Sequence, residues 1–141
     1  MSDENVDKVR RVYATWDDDA FGSVDEEMLE EVFHPEIEWD VSRRTFDPGV
    51  FRGHEGVREF GARLLEVWES GRVEPVEFIS QGDEVVVPVR LSFTSRTHGQ
   101  VLTANAAHAW TVREGMIVRH RTFQTKAEAL EAAGVDPAES A

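Results

Sequence analysis

The apolar residues of this chain change from a helical spacing to an alternating one near residue 73. Before that point, apolar side chains recur every three or four positions at 3–17, 28–33 and 57–68, which predicts three amphipathic helices. One alternating segment, 36–41, lies among them and predicts a first strand. Alternation then predicts four longer strands, followed by a short helix at 126–133: the strands are 73–80, 84–95, 100–112 and 116–124.

This order of elements, with helices first and strands last, differs from the regular strand–helix alternation of a parallel α/β protein. It predicts a single α+β domain over residues 1–141, in which three N-terminal helices pack on a curved antiparallel sheet, followed by a short C-terminal helix. A chain of this length buries enough surface to fold without disulfides. The chain has no cysteine, so disulfides and thiolate-bound metals are excluded.

The acidic balance of the chain argues against several kinds of partner. Its formal net charge is −13, from 15 basic and 28 acidic residues, so its surface repels phosphate groups. We therefore expect neither nucleic acid nor a membrane as a partner. No apolar stretch approaches the roughly 20 residues of a membrane span, and Met1–Asn5 shows no signal-peptide pattern. These features predict a cytoplasmic protein.

The last predicted hairpin carries the clearest sign of a ligand pocket. With a three-residue loop at Arg113–Gly115, Trp110 pairs with Val118 and His108 pairs with His120. One face then combines apolar side chains, two small alanines and two histidines: Ala104, Ala106, His108, Trp110, Val112, Met116, Val118 and His120. An apolar surface with a few polar groups is the usual lining of a small-molecule site.

Two alternatives remain open for this hairpin. A two-residue loop would place His108 opposite Arg121. In either register, Ala104 and Ala106 could make room for a helix, with the histidines hydrogen-bonded inside a filled core.

Four segments resemble the SnoaL-like branch of the nuclear transport factor 2-like superfamily. They are Phe33–Trp39, Phe51–Val57, His108–Gly115 and Ala127–Gly134. The resemblance implies a cone of helices closed by a curved sheet around a pocket for a small apolar molecule, commonly in a homodimer formed through the outer sheet face. The superfamily includes ketosteroid isomerases, polyketide cyclases, epoxide hydrolases, a dehydratase and non-catalytic proteins, so the fold alone does not decide the function.

The resemblance to ketosteroid isomerases implies three catalytic positions. Asp40 matches their general-base aspartate near the end of the first strand, and Tyr13 and His108 match the two donors of their oxyanion hole. His108 departs from the pattern, because the isomerases have a carboxylic acid there. If Asp40 matches this base, we expect it to be buried in the apolar pocket. Burial would then raise its pKa and make it a better base. Alternatively, Asp40 is an exposed strand end and Tyr13 a core residue on the stripe of Val9 and Trp16.

The wall of the predicted pocket is expected to be mainly aromatic. The ligand-binding residues that we predict are Trp16, Trp39, Phe51, Phe60, Trp110, Val118 and His120.

Two other kinds of site have weaker support. Epoxide hydrolases of this fold use an Asp–Arg–Asp set, for which Asp40 and Arg90 supply two members and no second aspartate is found on the inner strands. A zinc site at His108 and His120 would lack the third protein ligand that catalytic zinc usually has. We therefore predict neither a metal nor a cofactor.

Three functions are compatible with the sequence. A cofactor-free isomerase, cyclase or dehydratase would move protons on a hydrophobic carbonyl compound, and it requires Asp40 to be buried with a raised pKa. A binding module would hold a small apolar ligand whether or not Asp40 is present. An interaction protein would have a filled pocket and an exposed apolar patch beyond the dimer contact.

Overall fold

The computed structural model describes residues 2–16, 24–43 and 48–135, which form four helices and seven strands. The helices are α1 (Ser2–Ala14), α2 (Glu26–Val32), α3 (Gly53–Val67) and α4 (Lys126–Ala133). The strands are β1 (Phe33–Asp40), β2 (Val50–Arg52), β3 (Trp68–Pro75), β4 (Ile79–Gln81), β5 (Glu84–Ser95), β6 (Val101–Arg113) and β7 (Met116–Phe123). The predicted α+β class is confirmed. In the part of the chain described here, no helix is both long and apolar enough to cross a membrane.

The strands form one curved sheet in the order β2-β1-β7-β6-β5-β3, and β4 also pairs with β5. Neighbouring strands are antiparallel except β1 and β7, which run parallel. The sheet is therefore mixed, where the sequence predicted an antiparallel one. The reason is that β1 and β7 are far apart in sequence, so no hairpin dictates their relative direction.

The predicted strand at 73–80 is in fact two strands, β3 and β4, which both pair with the long strand β5. β3 begins at Trp68, directly after α3, and ends at Pro75, which has no amide hydrogen to continue the ladder. The short strand β2 was not predicted, because three residues are too few to show an alternating pattern.

Local capping signals fix the ends of two helices. The Asp25 side chain caps α2 by accepting a hydrogen bond from the Met28 N–H at 3.1 Å. Thr125 caps α4 by accepting from the Glu128 N–H at 3.1 Å. Gly134 ends α4 in the left-handed conformation, with φ 71°, which a glycine adopts without strain.

The sheet has two faces with separate cores. The inner face packs against α1, α2 and α3 and forms the larger core, in which Trp39 and Trp110 are the largest buried side chains. The outer face packs against α4 through a smaller apolar cluster that includes Val86, Ala109 and Leu130. Because side chains alternate along a strand, neighbouring residues of one strand belong to different faces.

The β6–β7 hairpin closes in a two-residue turn instead of the predicted three-residue loop. Arg113 pairs with Met116, and the turn residues Glu114 and Gly115 both have positive φ, at 52° and 79°. A β-bulge at Val118 then adds one residue to β7 and shifts the register.

The bulge decides which side chains meet across the hairpin. Trp110 pairs with His120, and His108 pairs with Thr122. The predicted pairs of Trp110 with Val118 and of His108 with His120 are therefore wrong. The two-residue alternative is also wrong beyond the turn, because it lacked the bulge.

The bulge also exchanges the faces of the β7 residues that precede Arg119. Ile117 pairs with Val112 and lies in the inner core, where the sequence placed it on the opposite face. Val118 lies on the outer face, in a groove that it shares with Arg119 and Arg121. One extra residue exchanges the two faces of a strand because the side-chain period is two.

Candidate functional site

Aromatic side chains converge on the inner face around His120. The Trp39 ring stacks on the His120 ring with centroids 4.0 Å apart, and the Trp110 and His108 rings lie 4.3 and 4.7 Å from it. We call this set the aromatic cage, and its members are Tyr13, Trp16, Phe33, Trp39, Phe60, His108, Trp110 and His120. Most of these rings meet edge to face or tilted, which is a favourable arrangement for aromatic groups.

A chain of hydrogen bonds joins three polar atoms of the cage. The Trp110 Nε1–H donates to the Tyr13 hydroxyl at 2.9 Å, and that hydroxyl lies 2.6 Å from Nδ1 of His108. An indole nitrogen can only donate, and a buried hydroxyl hydrogen without an acceptor is unfavourable. The Tyr13 O–H therefore donates to Nδ1, and a neutral His108 carries its proton on Nε2.

Burial keeps Tyr13 and His108 neutral. It lowers the pKa of His108 to about 3. It also raises the pKa of Tyr13 well above its ordinary value, although the hydrogen bond from Trp110 opposes that rise. Both shifts have the same cause, because a charge is poorly solvated among apolar rings. Near neutral pH the pair therefore offers an uncharged imidazole N–H.

His108 lies at the border between the packed and the open part of the inner face. On one side along β6, Trp110 is fully buried, while on the other side Ala106 is half-buried and Ala104 is exposed. His108 itself keeps 7% of its surface exposed. Within the described residues, the His108 ring has its hydrogen bond at Nδ1 only, to Tyr13. The Nε2–H is thus available to a polar group that enters from the open part.

The open part of the inner face is apolar and contains small residues. Leu91 and Phe93 of β5 pair with Ala104 and Leu102 of β6, and none of these four residues is fully buried. The Phe93 ring stacks on Trp68 with centroids 5.4 Å apart. An apolar wall with an alanine in place of a larger side chain suits a small apolar guest.

His120 is part of the packing of the cage. Its Nε2 lies 3.0 Å from Oγ1 of Thr122, and its ring lies between Trp39 and Trp110 with 1% of its surface exposed. Thr122 was not predicted as a site residue. The available signal was its position two residues after His120, which places both on the same face of a strand.

Asp40 lies on the face opposite to the cage. Its neighbour Trp39 belongs to the inner core, and the alternation of β1 directs Asp40 outward. Oδ1 accepts hydrogen bonds from the Ser42 N–H at 2.9 Å and from the Ser42 hydroxyl at 2.5 Å. Oδ2 lies 3.6 Å from Nη1 of Arg43. The structure therefore does not bring Asp40 together with Tyr13 and His108.

The electrostatic surroundings of Asp40 also differ from those expected. The residue is buried, but its pKa is lowered. Burial alone would raise the pKa, and the hydrogen bonds from Ser42 with the charges of Arg43 and Arg119 outweigh that effect. The predicted rise of the Asp40 pKa is therefore wrong. Ser42 was missed, although a serine two positions after an aspartate is a known turn signal.

The other charges near Asp40 are paired on the same outer face. Glu38 lies 3.0 Å from Nε of Arg119 and 3.1 Å from Nη1 of Arg52. Arg121 lies 3.1 Å from Glu84, and both side chains are largely buried. These pairs form a charged layer, whereas the buried polar pair of the inner face, Tyr13 and His108, is neutral.

The remaining predicted residues lie outside the cage. Phe51, on β2, pairs with Trp39 across the strands and its ring lies 5.7 Å from Phe60, so it borders the cage from the edge of the sheet. Val118 faces outward, and Arg90 is exposed on β5, away from Asp40. Among the residues that the structure describes, no three histidine, aspartate or glutamate side chains are placed to hold a metal ion.

Solved structures with the same fold include two that share more than a quarter of their residues with this chain. TerC co-crystallized with polyporic acid has 28% identity and a TM-score of 0.72, covering 93% of this chain and 98% of that one. A nuclear transport factor 2-like protein from Burkholderia thailandensis E264 has 27% identity and a TM-score of 0.71, covering 94% and 98%.

A more distant structure shows the fold alone. It is a protein with a ketosteroid isomerase-like fold from Catenulispora acidiphila DSM 44928, in complex with trimethylamine. It has 15% identity and a TM-score of 0.69, covering 92% of this chain and 93% of that one. A comparison with curated proteins gave no match.

The sequence pattern of the SnoaL-like domain matches residues 9–120, which extend from α1 into β7. This range contains every member of the aromatic cage, including the hydrogen-bonded pair of Tyr13 and His108. The chain therefore belongs to the SnoaL-like domain family.

Proposed function

We propose that the protein binds a small, largely apolar molecule on the open part of the inner face, and that the pair of Tyr13 and His108 contacts an oxygen atom of that molecule. The observation that carries this proposal is the buried 2.6 Å hydrogen bond between the Tyr13 hydroxyl and Nδ1 of His108. It fixes the imidazole with its Nε2–H directed away from the pair, at the border of the open part.

The chemistry of the pair favours a carbonyl or hydroxyl oxygen as the ligand group. A neutral imidazole N–H donates a hydrogen bond without bringing a charge into the apolar site, so it does not select for an anion. The apolar body of the ligand would lie along Leu91, Phe93 and Ala104. TerC, which is 28% identical, was co-crystallized with polyporic acid. Polyporic acid is therefore the first ligand to test against this site.

A second candidate function is a cofactor-free isomerase or cyclase, and the position of His108 favours it. A donor that strengthens its hydrogen bond as a carbonyl becomes an enolate lowers the barrier for losing a neighbouring proton. Among the described residues Asp40 is the only buried carboxylate, and it faces outward, so the proton would pass to a base from solvent. Asp40, which faces outward, is not assigned as the general base.

Thermal unfolding with a ligand panel tests the proposal. The panel consists of polyporic acid, a steroid ketone, a terpenoid and a fatty acid, each with wild type, His108→Phe and the matched outer-face variant Asp40→Asn. A ligand at 100 times its dissociation constant adds about 2.7 kcal/mol of stability. We expect at least one oxygen-bearing aromatic ligand to stabilise wild type and Asp40→Asn equally, with about tenfold weaker binding to His108→Phe.

The same experiment separates the alternatives. If Asp40→Asn loses binding and His108→Phe keeps it, the ligand lies on the other face and the proposal fails. Incubation of the bound ligands with the protein, followed by mass and chiral analysis, decides between binding and turnover. Product that forms with wild type and not with His108→Phe would support the isomerase or cyclase.

We also propose a homodimer formed through the outer sheet face, as the resemblance implies. Sedimentation equilibrium should show twice the chain mass of 15.9 kDa. A single species of 15.9 kDa over a wide concentration range would exclude the dimer.

A further inference from the structure

Two ring N–H groups of the aromatic cage have no acceptor among the described residues. One is the Nε2–H of His108, whose hydrogen bond to Tyr13 uses Nδ1. The other is the Nε1–H of Trp39, a side chain with 2% of its surface exposed. Buried N–H groups are nearly always hydrogen-bonded in folded proteins, so this one requires an explanation.

The rings that carry the two donors both contact the His120 ring. The His120 ring lies between them, 4.0 Å from the Trp39 ring and 4.7 Å from the His108 ring. Their strands are the two neighbours of β7 in the sheet, β1 and β6. Strands two places apart in a sheet are separated by about 10 Å, so a guest that contacts both donors has to extend across β7.

Trp16, just after α1, packs against the rings that carry both donors. Its ring lies 6.1 Å from Trp39 and 6.3 Å from His108, at angles of 73° and 88° to them. Trp16 is only half-buried, whereas Trp39 and His108 are buried. A planar guest that takes the place of this one side chain would meet the rings of both Trp39 and His108.

We infer that the ligand of this protein is a planar molecule with two oxygen acceptors, one for the Nε2–H of His108 and one for the Nε1–H of Trp39. The inference rests on the proposed function and narrows it. Quinones, hydroxyquinones and cyclic diketones have the required pair of oxygens. A single oxygen accepts two hydrogen bonds only from donors that converge on it, and these two donors are carried by strands about 10 Å apart.

Two matched probes test this inference: phenyl-p-benzoquinone, which has two carbonyl oxygens, and p-phenylphenol, which has one hydroxyl oxygen. The chain has no cysteine, so no thiol can add to the quinone. Dissociation constants are measured for wild type, for Trp39→Phe, and for Trp16→Phe, a control that removes another indole of the same cage. We expect Trp39→Phe to weaken binding of the quinone about tenfold, and binding of the phenol less than about twofold.

The control variant should affect the two probes alike, because Trp16 contributes ring contacts to both and its N–H is not one of the two proposed donors. If Trp39→Phe weakens both probes equally, or neither, the inference is overturned while the proposed binding function stands. If wild type binds neither probe, the proposed function fails for this ligand class and the inference falls with it.

A second measurement does not depend on a stable variant. The chain has four tryptophans, so the proton–nitrogen NMR spectrum contains four indole N–H signals. The Trp39 signal, assigned through its contacts with His120, should move to lower field with the quinone bound and stay in place with the phenol. A Trp39 signal that does not move when the quinone is bound overturns the inference.

Discussion

The two faces of one sheet bury their polar groups in opposite ways. On the inner face, Tyr13 and His108 are neutral and share a hydrogen bond among aromatic rings. On the outer face, Asp40 has hydrogen bonds from Ser42 and a nearby Arg43. The pKa shifts follow this difference. Burial among rings disfavours the charged forms of Tyr13 and His108, whereas hydrogen-bond donors and nearby guanidinium groups favour the charged form of Asp40.

This contrast separates the residues that can act on a ligand from those that hold the sheet together. A neutral donor in an apolar site can bind an oxygen atom without a charged partner. A carboxylate that is already hydrogen-bonded and close to a cation is a weak base, because its lowered pKa disfavours proton uptake. Asp40 therefore fits a structural role on the outer face, and His108 fits a role in binding on the inner face.

The largest expected effect comes from removing a ring of the inner face. Trp110→Ala deletes a fully buried indole and its hydrogen bond to Tyr13, so the free energy of unfolding should fall by about 3–5 kcal/mol. The adjacent change Thr111→Ala removes an outer-face hydrogen bond of 2.6 Å to Glu84 and should cost about 1 kcal/mol. Urea unfolding of both variants measures the contrast, and equal losses would contradict it.

The next effect concerns the most buried ion pair of the outer face. Glu84→Gln removes the negative charge that lies 3.1 Å from the Arg121 side chain, which is 9% exposed. We expect a loss of about 2 kcal/mol, which is below the value for a fully buried pair because Glu84 is partly exposed. The double variant Glu84→Gln with Arg121→Met should recover part of this loss. A double variant that is less stable than Glu84→Gln alone would show that Arg121 contributes mainly through other contacts.

The pH dependence of stability tests whether His108 stays neutral on the inner face. Unfolded His108 takes up a proton below its ordinary pKa of 6.5, whereas the folded residue does so only near 3. His108 therefore lowers stability as the pH falls from 6.5 towards 3, by up to about 1.4 kcal/mol per pH unit. His108→Phe lacks this group, so its stability should fall less steeply over that range. Parallel curves for the two proteins would show that the folded imidazole also takes up the proton.

The smallest effect is expected for Asp40→Asn. The lowered pKa of Asp40 means that its carboxylate stabilises the fold above the ordinary value of 3.8, and that this contribution is lost as the pH falls through the folded pKa. At pH 7 the variant should be about 1 kcal/mol less stable than wild type. Chemical unfolding at several pH values should show this gap closing in acid. A variant more stable than wild type at pH 7 would instead show that the Asp40 carboxylate destabilises the fold, as catalytic residues often do.

The alternation of 36–41 and the resemblance to ketosteroid isomerases led to different positions for Asp40, and the structure has it on the face opposite to Trp39. Trp39 and Asp40 are consecutive in the alternating segment 36–41, so their side chains face opposite sides of the strand. The catalytic expectation came from the match to ketosteroid isomerases, in which an aspartate near this point acts as the base. The lowered pKa then depended on Ser42, Arg43 and Arg119, of which Arg119 is brought near only by the parallel pairing of β1 with β7.

The hairpin shows a different limit of prediction. Its strands and its turn region were predicted, and His108, Trp110 and His120 were all assigned to the inner face. Their pairing was wrong because a bulge at Val118 shifted the register. A single extra residue leaves the hydrophobic pattern of a short strand nearly unchanged, so periodicity does not reveal it.

By itself, the sequence determined the α+β class and the order of the main helices and strands, because these follow from the local hydrophobic period. Only the tertiary structure decided that Tyr13 donates to His108, a residue 95 positions away, while Asp40 faces the other side. The physical reason is that hydrogen bonds and pKa values depend on distances between side chains of different elements. Those distances are set by how α1 packs on β6 and by the register of β7, which no local pattern encodes.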